Sequence, residues 1–111
     1  MTTEKGGMMN QTFGLLEVNG WVAGIESLDA MLKSAGVELY GTKEDNGRLL
    51  VVITGSPSVV SATLEVGGRC AEQFGTVIAK RVIAHPREET VSMLNRLLCE
   101  MYPQERPHKP V

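Results

Sequence analysis

The sequence has few aromatic residues, few cysteines and no long apolar run. Aromatic residues make up 5% of the 111 residues, so a core must rely mainly on aliphatic side chains. The two cysteines, Cys70 and Cys99, form no CxxC motif and have no matched histidine spacing, which argues against a disulfide framework or a zinc site. The longest apolar run, residues 49–53, is far shorter than the roughly 20 residues that span a bilayer.

An excess of basic charge is also missing. The 11 basic and 13 acidic residues give a net charge of -2, which offers no basic face for nucleic acid. No stretch has the basic amphipathic pattern of a membrane-surface helix. Residues 1–11 contain no apolar core of the kind that a secretion signal needs. These absences predict a cytoplasmic protein that binds neither nucleic acid nor membrane and keeps its cysteines reduced.

One continuous pattern of short elements lies between two polar ends. Residues 1–11 and the proline-rich residues 102–111 are predicted to be flexible, because neither has apolar periodicity. Residues 12–101 form the single predicted domain. Strands are predicted over 13–18, 37–43, 48–54 and 76–84, and helices over 21–35, from 57 up to Gly75, and from 88 onward.

This order, β-α-β-β-α-β followed by a further helix, predicts an α+β fold of the ferredoxin-like type. We expect a four-stranded antiparallel sheet with helices packed on it, the first two on one face. Ser56 is predicted to cap the second helix, with Pro57 in its first turn. Gly67 and Gly68 are poor helix residues, and their presence predicts that a neighbouring backbone comes very close there.

Each helix has an apolar stripe that predicts its buried face. The stripe of the first helix contains Val22, Ile25, Leu28 or Asp29, Leu32 and Ala35. The stripe of the second helix contains Val59, Ala62, Val66 and Cys70. The stripe of the third helix contains Val91, Leu94, Leu97, Leu98 and Met101.

Two motifs near the start of the chain resemble a known family. They are Gly14-x-x-Glu17-x-x-Gly20 and Asp29-Ala30-Met31-x-Lys33-Ser34-Ala35-x-Val37, and Leu39-x-Gly41 and residues 51–55 continue the similarity. Together they resemble the bacterial microcompartment shell domain of the single-domain type. The resemblance implies a structural protein that forms a cyclic hexamer with a central pore, tiles into a facet and lets small metabolites pass. It also implies partners: other copies, other shell proteins, and enclosed enzymes as candidates for contact with the tail.

The resemblance assigns an edge role to three residues. Lys33 matches the family lysine that donates to backbone carbonyls across the seam between hexamers, where two such lysines lie antiparallel. His85 occupies the position of the family's edge arginine, in Ala84-His85-Pro86-Arg87 instead of Pro-Arg-Pro-His. Either His85 takes the place of that arginine, or Arg87 reaches the seam from two positions further on.

The pore segment departs from the family pattern. The family commonly has Lys-Ile-Gly-Ser-Gly here, and this chain has Lys43 followed by the predicted pore-lining residues Glu44, Asp45, Asn46 and Gly47. Read alone, Asn-Gly is simply a strong hairpin signal. Repeated around a six-fold ring, the carboxylates would attract cations and disfavour anions, unless Lys43 and Arg48 neutralise them from neighbouring positions. A closed pore is the other alternative, because these side chains are bulkier than Gly-Ser-Gly. The segment has no cysteine for the iron–sulfur cluster that some family members hold, so no cofactor is predicted.

Two other interpretations remain open. A ferredoxin-like regulatory module that binds a metabolite at a subunit interface would have the same element order, because a fold does not fix a function. An enzyme is less well supported, since no nucleophile and base have an informative spacing and no metal ligands are grouped. The sequence therefore predicts no catalytic residue and no metal ligand.

Overall fold

A computed structural model describes residues 11–99 of the chain. Within this range the order of elements is β-α-β-β-α-β-α, as predicted. The strands are β1 (Thr12–Asn19), β2 (Val37–Asp45), β3 (Arg48–Gly55) and β4 (Thr76–Ile83). The helices are α1 (Trp21–Leu32), α2 (Pro57–Glu72) and α3 (Glu88–Cys99). The terminal segments predicted to be flexible, apart from Gln11, and the predicted domain end at Met101 lie outside the described residues.

The four strands form one antiparallel sheet in the order β2-β3-β1-β4. The predicted α+β fold is confirmed. The central strands β1 and β3 pair along their whole length, from Thr12 opposite Gly55 to Asn19 opposite Arg48. Strands β2 and β4 are therefore the two lateral strands of this sheet, and each pairs with one neighbour.

The helices α1 and α2 pack on one face of the sheet, as predicted. Alternate residues of β1, such as Leu16 and Val18, point into this layer and are fully buried. The other buried apolar residues of the layer are Ala23, Met31, Leu49, Val51, Ile53, Val60, Leu64 and Ala71. This layer is the larger of the two hydrophobic clusters in the described part of the chain.

The helix α3 packs on the opposite face of the sheet. Its predicted stripe is confirmed within the described residues, because Val91, Leu94 and Leu98 are buried against Phe13 and Val52. The ring of Tyr40 meets that of Phe13 edge-on, with centroids 4.8 Å apart. The Tyr40 hydroxyl also donates a hydrogen bond to the side chain of Asn95 on α3.

The predicted inner faces of α1 and α2 were wrong. Val22 and Ile25 of α1 are 58% and 56% exposed, and Val66 of α2 is 43% exposed. The buried residues of α1 are Ala23, Gly24, Ser27 and Met31. Those of α2 are Val60, Thr63, Leu64, Gly67, Gly68 and Ala71.

The physical reason is the short distance between helix and sheet. A Cβ atom at Gly24 would lie 2.9 Å from the Cδ2 atom of Leu49 on β3, so only a very small residue fits there. Val22, Ile25 and Val66 therefore remain on the exposed side of the helical layer.

Two local predictions also need correction. Ser56 occupies the N-cap position of α2, but its side chain makes no capping hydrogen bond. At Gly67 the close neighbour is the side chain of Met31 and not a backbone, and a Cβ atom at Gly68 would meet only Lys80, at an ordinary 3.6 Å. The close approach was correctly expected at Gly67, but its cause was wrong.

Candidate functional site

The four residues predicted to line a pore are at the turn between β2 and β3. Asn46 and Gly47 both have positive φ, 53° and 80°, as in the tight turns that Asn-Gly favours. Glu44, Asp45 and Asn46 are exposed, and Gly47 is half-buried. The predicted hairpin is confirmed, and it presents these side chains at one end of the sheet.

This turn is fixed to the junction between β1 and α1. The backbone N–H of Gly20 donates to the carbonyl oxygen of Gly47 over 2.8 Å. Gly20 has a φ of 113°, a conformation that side chains rarely permit. The bond holds the turn against the start of α1, whose first residue, Trp21, is 50% exposed.

The tip carries charges of both signs. The carboxylates of Glu44 and Asp45 lie on the exposed turn, and the guanidinium of Arg48 is 3.9 Å from that of Asp45. An exposed pair at this distance is weak. Arg48 therefore offsets the negative charge of the tip only in part.

The predicted edge residues lie at the opposite end of the sheet. The register aligns Thr12, Val37 and Gly55 in one row there, with Ile83 one residue along, opposite Phe13. The row at the turn contains Asn19, Asp45, Arg48 and Thr76. Lys33 shortly precedes the start of β2, and His85 follows the end of β4. Strands of eight residues separate the two rows by roughly 23 Å.

Lys33 is held by an acidic neighbour on its own helix. Its Nζ atom is 2.7 Å from the Oδ2 atom of Asp29, and both side chains are well exposed, at 74% and 60%. The hydrogen bond and the charge of Asp29 raise the pKa of Lys33 above its ordinary value. The i, i+4 spacing of Asp29 and Lys33 in the sequence is the signal that could have predicted this pair.

His85 and Arg87 differ in how the backbone presents them. His85 is exposed and has a φ of 52°, which is uncommon for a residue other than glycine. Arg87 is the residue before α3, where its carbonyl oxygen accepts from the N–H groups of Thr90 and Val91. The Nε atom of Arg87 lies 3.7 Å from a carboxylate oxygen of Glu89 on the same helix.

The sheet face beside α3 carries a groove that sequence reasoning did not find. It has a volume of about 320 Å³ and is lined mainly by residues of β1, β3 and β4. Its lining includes Leu15, Glu17, Leu50, Ala79, Arg81 and Ile83. Alternation along these strands was the signal that could have grouped them, because residues opposite each other in register point to one face.

Residues 11–99 contain no cluster of three or more His, Cys, Asp or Glu side chains that would suit a metal ion. Over the same range, every helix is too short or too polar to cross a membrane.

Comparison with known proteins gives one consistent family. The BMC domain family matches residues 12–86. The bacterial microcompartment shell protein EutK of Salmonella typhimurium is 36% identical over 99 residues, which cover 88% of this chain and 60% of that protein. The bacterial microcompartment shell protein PduA of Citrobacter freundii is 35% identical, over 78% of this chain and 95% of that protein.

A solved structure agrees with these relatives. The crystal structure of a microcompartment protein from Desulfitobacterium hafniense superposes with a TM-score of 0.64 and 32% identity, covering 70% of this chain and 43% of that one. The chain spans about half to three-fifths of the EutK and PduK relatives it matches. It spans nearly the whole of the PduA relatives.

Proposed function

Because this chain belongs to the BMC-domain family, we propose that it is a structural protein of a bacterial microcompartment shell. In this proposal copies of the chain form a cyclic hexamer, and hexamers tile into a facet in the cytoplasm. The shell then passes small metabolites through a central pore at each hexamer. The role is structural and not catalytic, and its partners are other copies, other shell proteins and enclosed enzymes.

The observation that carries the proposal is the separation of the two candidate regions. The turn with Glu44, Asp45, Asn46 and Gly47 is at one end of the strands, and Lys33 and His85 are near the other end. In a ring whose strands run outward from the axis, the turn would line the pore and Lys33 would reach the outer edge. One orientation of the chain thus satisfies both expectations.

Exposed apolar residues on the two lateral sides of the chain also support a ring. On the side of β4, Ile78 and Val82 are 44% and 39% exposed. On α1, whose neighbours include β2 and β3, Val22 and Ile25 are more than half exposed. Contact between two unlike sides is heterologous, and a heterologous contact closes into a ring when its rotation permits.

The experiment that tests this proposal is a native mass measurement by light scattering on a sizing column. A mass about six times the 12.0 kDa of the chain is expected for the ring. A monomer, dimer or trimer would reject the shared pore. A dimer or trimer that also binds a metabolite saturably would favour the regulatory module.

A further inference from the structure

We propose that Asp29 positions Lys33 at the outer edge of the ring and neutralises its charge there. The inference rests on the proposed function, because it concerns the seam between two hexamers. Asp29 and Lys33 are one helical turn apart on the exposed side of α1. Asp29 thereby has a role, although it belongs to neither the hydrophobic core nor the turn between β2 and β3.

The geometry suits a positioning role. A lysine side chain has four flexible carbon–carbon bonds and three N–H donors. The contact of 2.7 Å with the Oδ2 atom of Asp29 takes one donor and narrows the positions available to the ammonium group. The two remaining N–H donors can then reach backbone carbonyls across a seam.

The charge of Asp29 matters more once two rings meet. In the arrangement that the family resemblance implies, the two Lys33 side chains of adjoining rings lie antiparallel, so two ammonium groups approach each other. Two ammonium groups that approach each other repel, and the repulsion becomes stronger as water leaves the contact. Each Asp29–Lys33 pair is neutral as a unit, so the seam would bring together two ion pairs and not two bare cations.

Other acidic residues on α1 are poor substitutes for Asp29. Glu26 affects Lys33 only by its charge, and this effect is the smallest of the influences on the pKa of Lys33. Asp29, by contrast, contacts the ammonium group of Lys33 directly, at 2.7 Å. Glu26 therefore provides a matched control, because Glu26→Gln removes one negative charge from the same helix and leaves the contact intact.

The test measures sheet formation by the purified full chain, using turbidity and electron microscopy over a series of protein concentrations. The variants are Asp29→Asn, Asp29→Glu, Glu26→Gln and Lys33→Gln, and each is first checked for an unchanged native mass. We expect Asp29→Asn to raise the concentration at which sheets form by roughly threefold or more, since two weakened contacts act at every seam. Asp29→Glu, which keeps the charge, should restore part of the loss, and Glu26→Gln should behave as the unmodified chain.

The response of the Asp29→Asn variant to salt distinguishes a positioning role of Asp29 from a merely structural one. Raising the ionic strength from about 0.01 M to about 0.15 M shortens the Debye length from about 30 Å to about 8 Å. If Asp29→Asn exposes lysine repulsion, this increase should bring its sheet-forming concentration back toward that of the unmodified chain. A loss caused by damage to α1 would not be relieved by salt.

The possible failures are distinguishable. If Lys33→Gln forms sheets as readily as the unmodified chain, the edge role of Lys33 is wrong and the inference fails with it. If Lys33→Gln impairs sheets while Asp29→Asn matches Glu26→Gln, or its loss is insensitive to salt, only the role of Asp29 is overturned.

Discussion

At the scale of single residues, Gly67 of α2 leaves no space for a methyl group beside Met31. A Cβ atom there would lie 2.5 Å from the sulfur of Met31 and 3.3 Å from Leu16. The adjacent Gly68 is equally buried within the same helix, yet its nearest atoms outside that helix belong to Lys80, at 3.6 Å. The two neighbouring glycines thus differ in the space that each would leave for a methyl group.

This difference predicts opposite effects of two matched substitutions. Replacing a glycine inside a helix by alanine gains about 1 kcal/mol from helix propensity. In Gly68→Ala this gain should appear as a higher free energy of unfolding. In Gly67→Ala it should be offset by overpacking against Met31, which costs about 1–3 kcal/mol. Urea denaturation at one protein concentration measures both, and equal stabilities would contradict the packing described at Gly67.

At the scale of elements, the strands were predictable because their chemistry is local. The pattern of β-branched and leucine residues over 48–54 matches β3, which ends one residue later at Gly55. The Asn46-Gly47 turn was predictable for the same reason, since its backbone conformation depends on the two residues that form it. Errors at these element ends are limited to one or two residues, and they change no conclusion about topology.

The inner faces of α1 and α2 were not predictable in this way. A stripe of large apolar residues such as Val22 and Ile25 has the same pattern whether it packs on a sheet or on another copy of the chain. Small residues such as Ala23 and Gly24 give no strong apolar signal, although their size is what allows α1 to approach the sheet. The pattern identified the element correctly and assigned its two sides the wrong way round.

The exposed side of α1 yields a prediction at this scale. Ile25→Ser should change the stability of the folded chain by only about 0.5 kcal/mol, because the side chain is exposed in a single copy. If that side contacts the next copy, the native mass should fall below that of the ring. Met93 on α3 is 57% exposed, much as Ile25 is, so Met93→Ser is the control that should keep the ring. An Ile25→Ser chain with the full ring mass would exclude this residue from the contact.

At the scale of the whole molecule, the resemblance to microcompartment shell proteins is confirmed, and the roles of individual residues remain predictions. The sequence pattern placed Glu44 and Lys33 in different elements. Only the strand register shows that these elements bring them to opposite ends of the sheet. The left-handed backbone of His85 was beyond pattern reading, because it depends on how the chain turns after β4. The contact between Asp29 and Lys33 was within reach of pattern reading, since it follows from their i, i+4 spacing.

The last prediction concerns the assembled pore, because a ring of carboxylates forms only when several copies meet. In a six-fold ring every turn would contribute Glu44 and Asp45, while Lys43 is half-buried and less able to act at the tip. Such a ring should favour cations over anions. We therefore expect Glu44→Gln with Asp45→Asn to lower the cation-to-anion permeability ratio toward one, measured from the reversal potential of the assembled protein in a planar bilayer.

The matched control for the pore is Glu88→Gln with Glu89→Gln, which removes the same charge from the first turn of α3, away from the hairpin. If the electric field at the tip decides selectivity, only the variant with the altered turn should lose its preference for cations. An equal change in both variants would assign the effect to the net charge of the ring, and no change in either would mean that the two carboxylates do not line the path. The comparison thus tests the position of the turn at the axis as well as its chemistry.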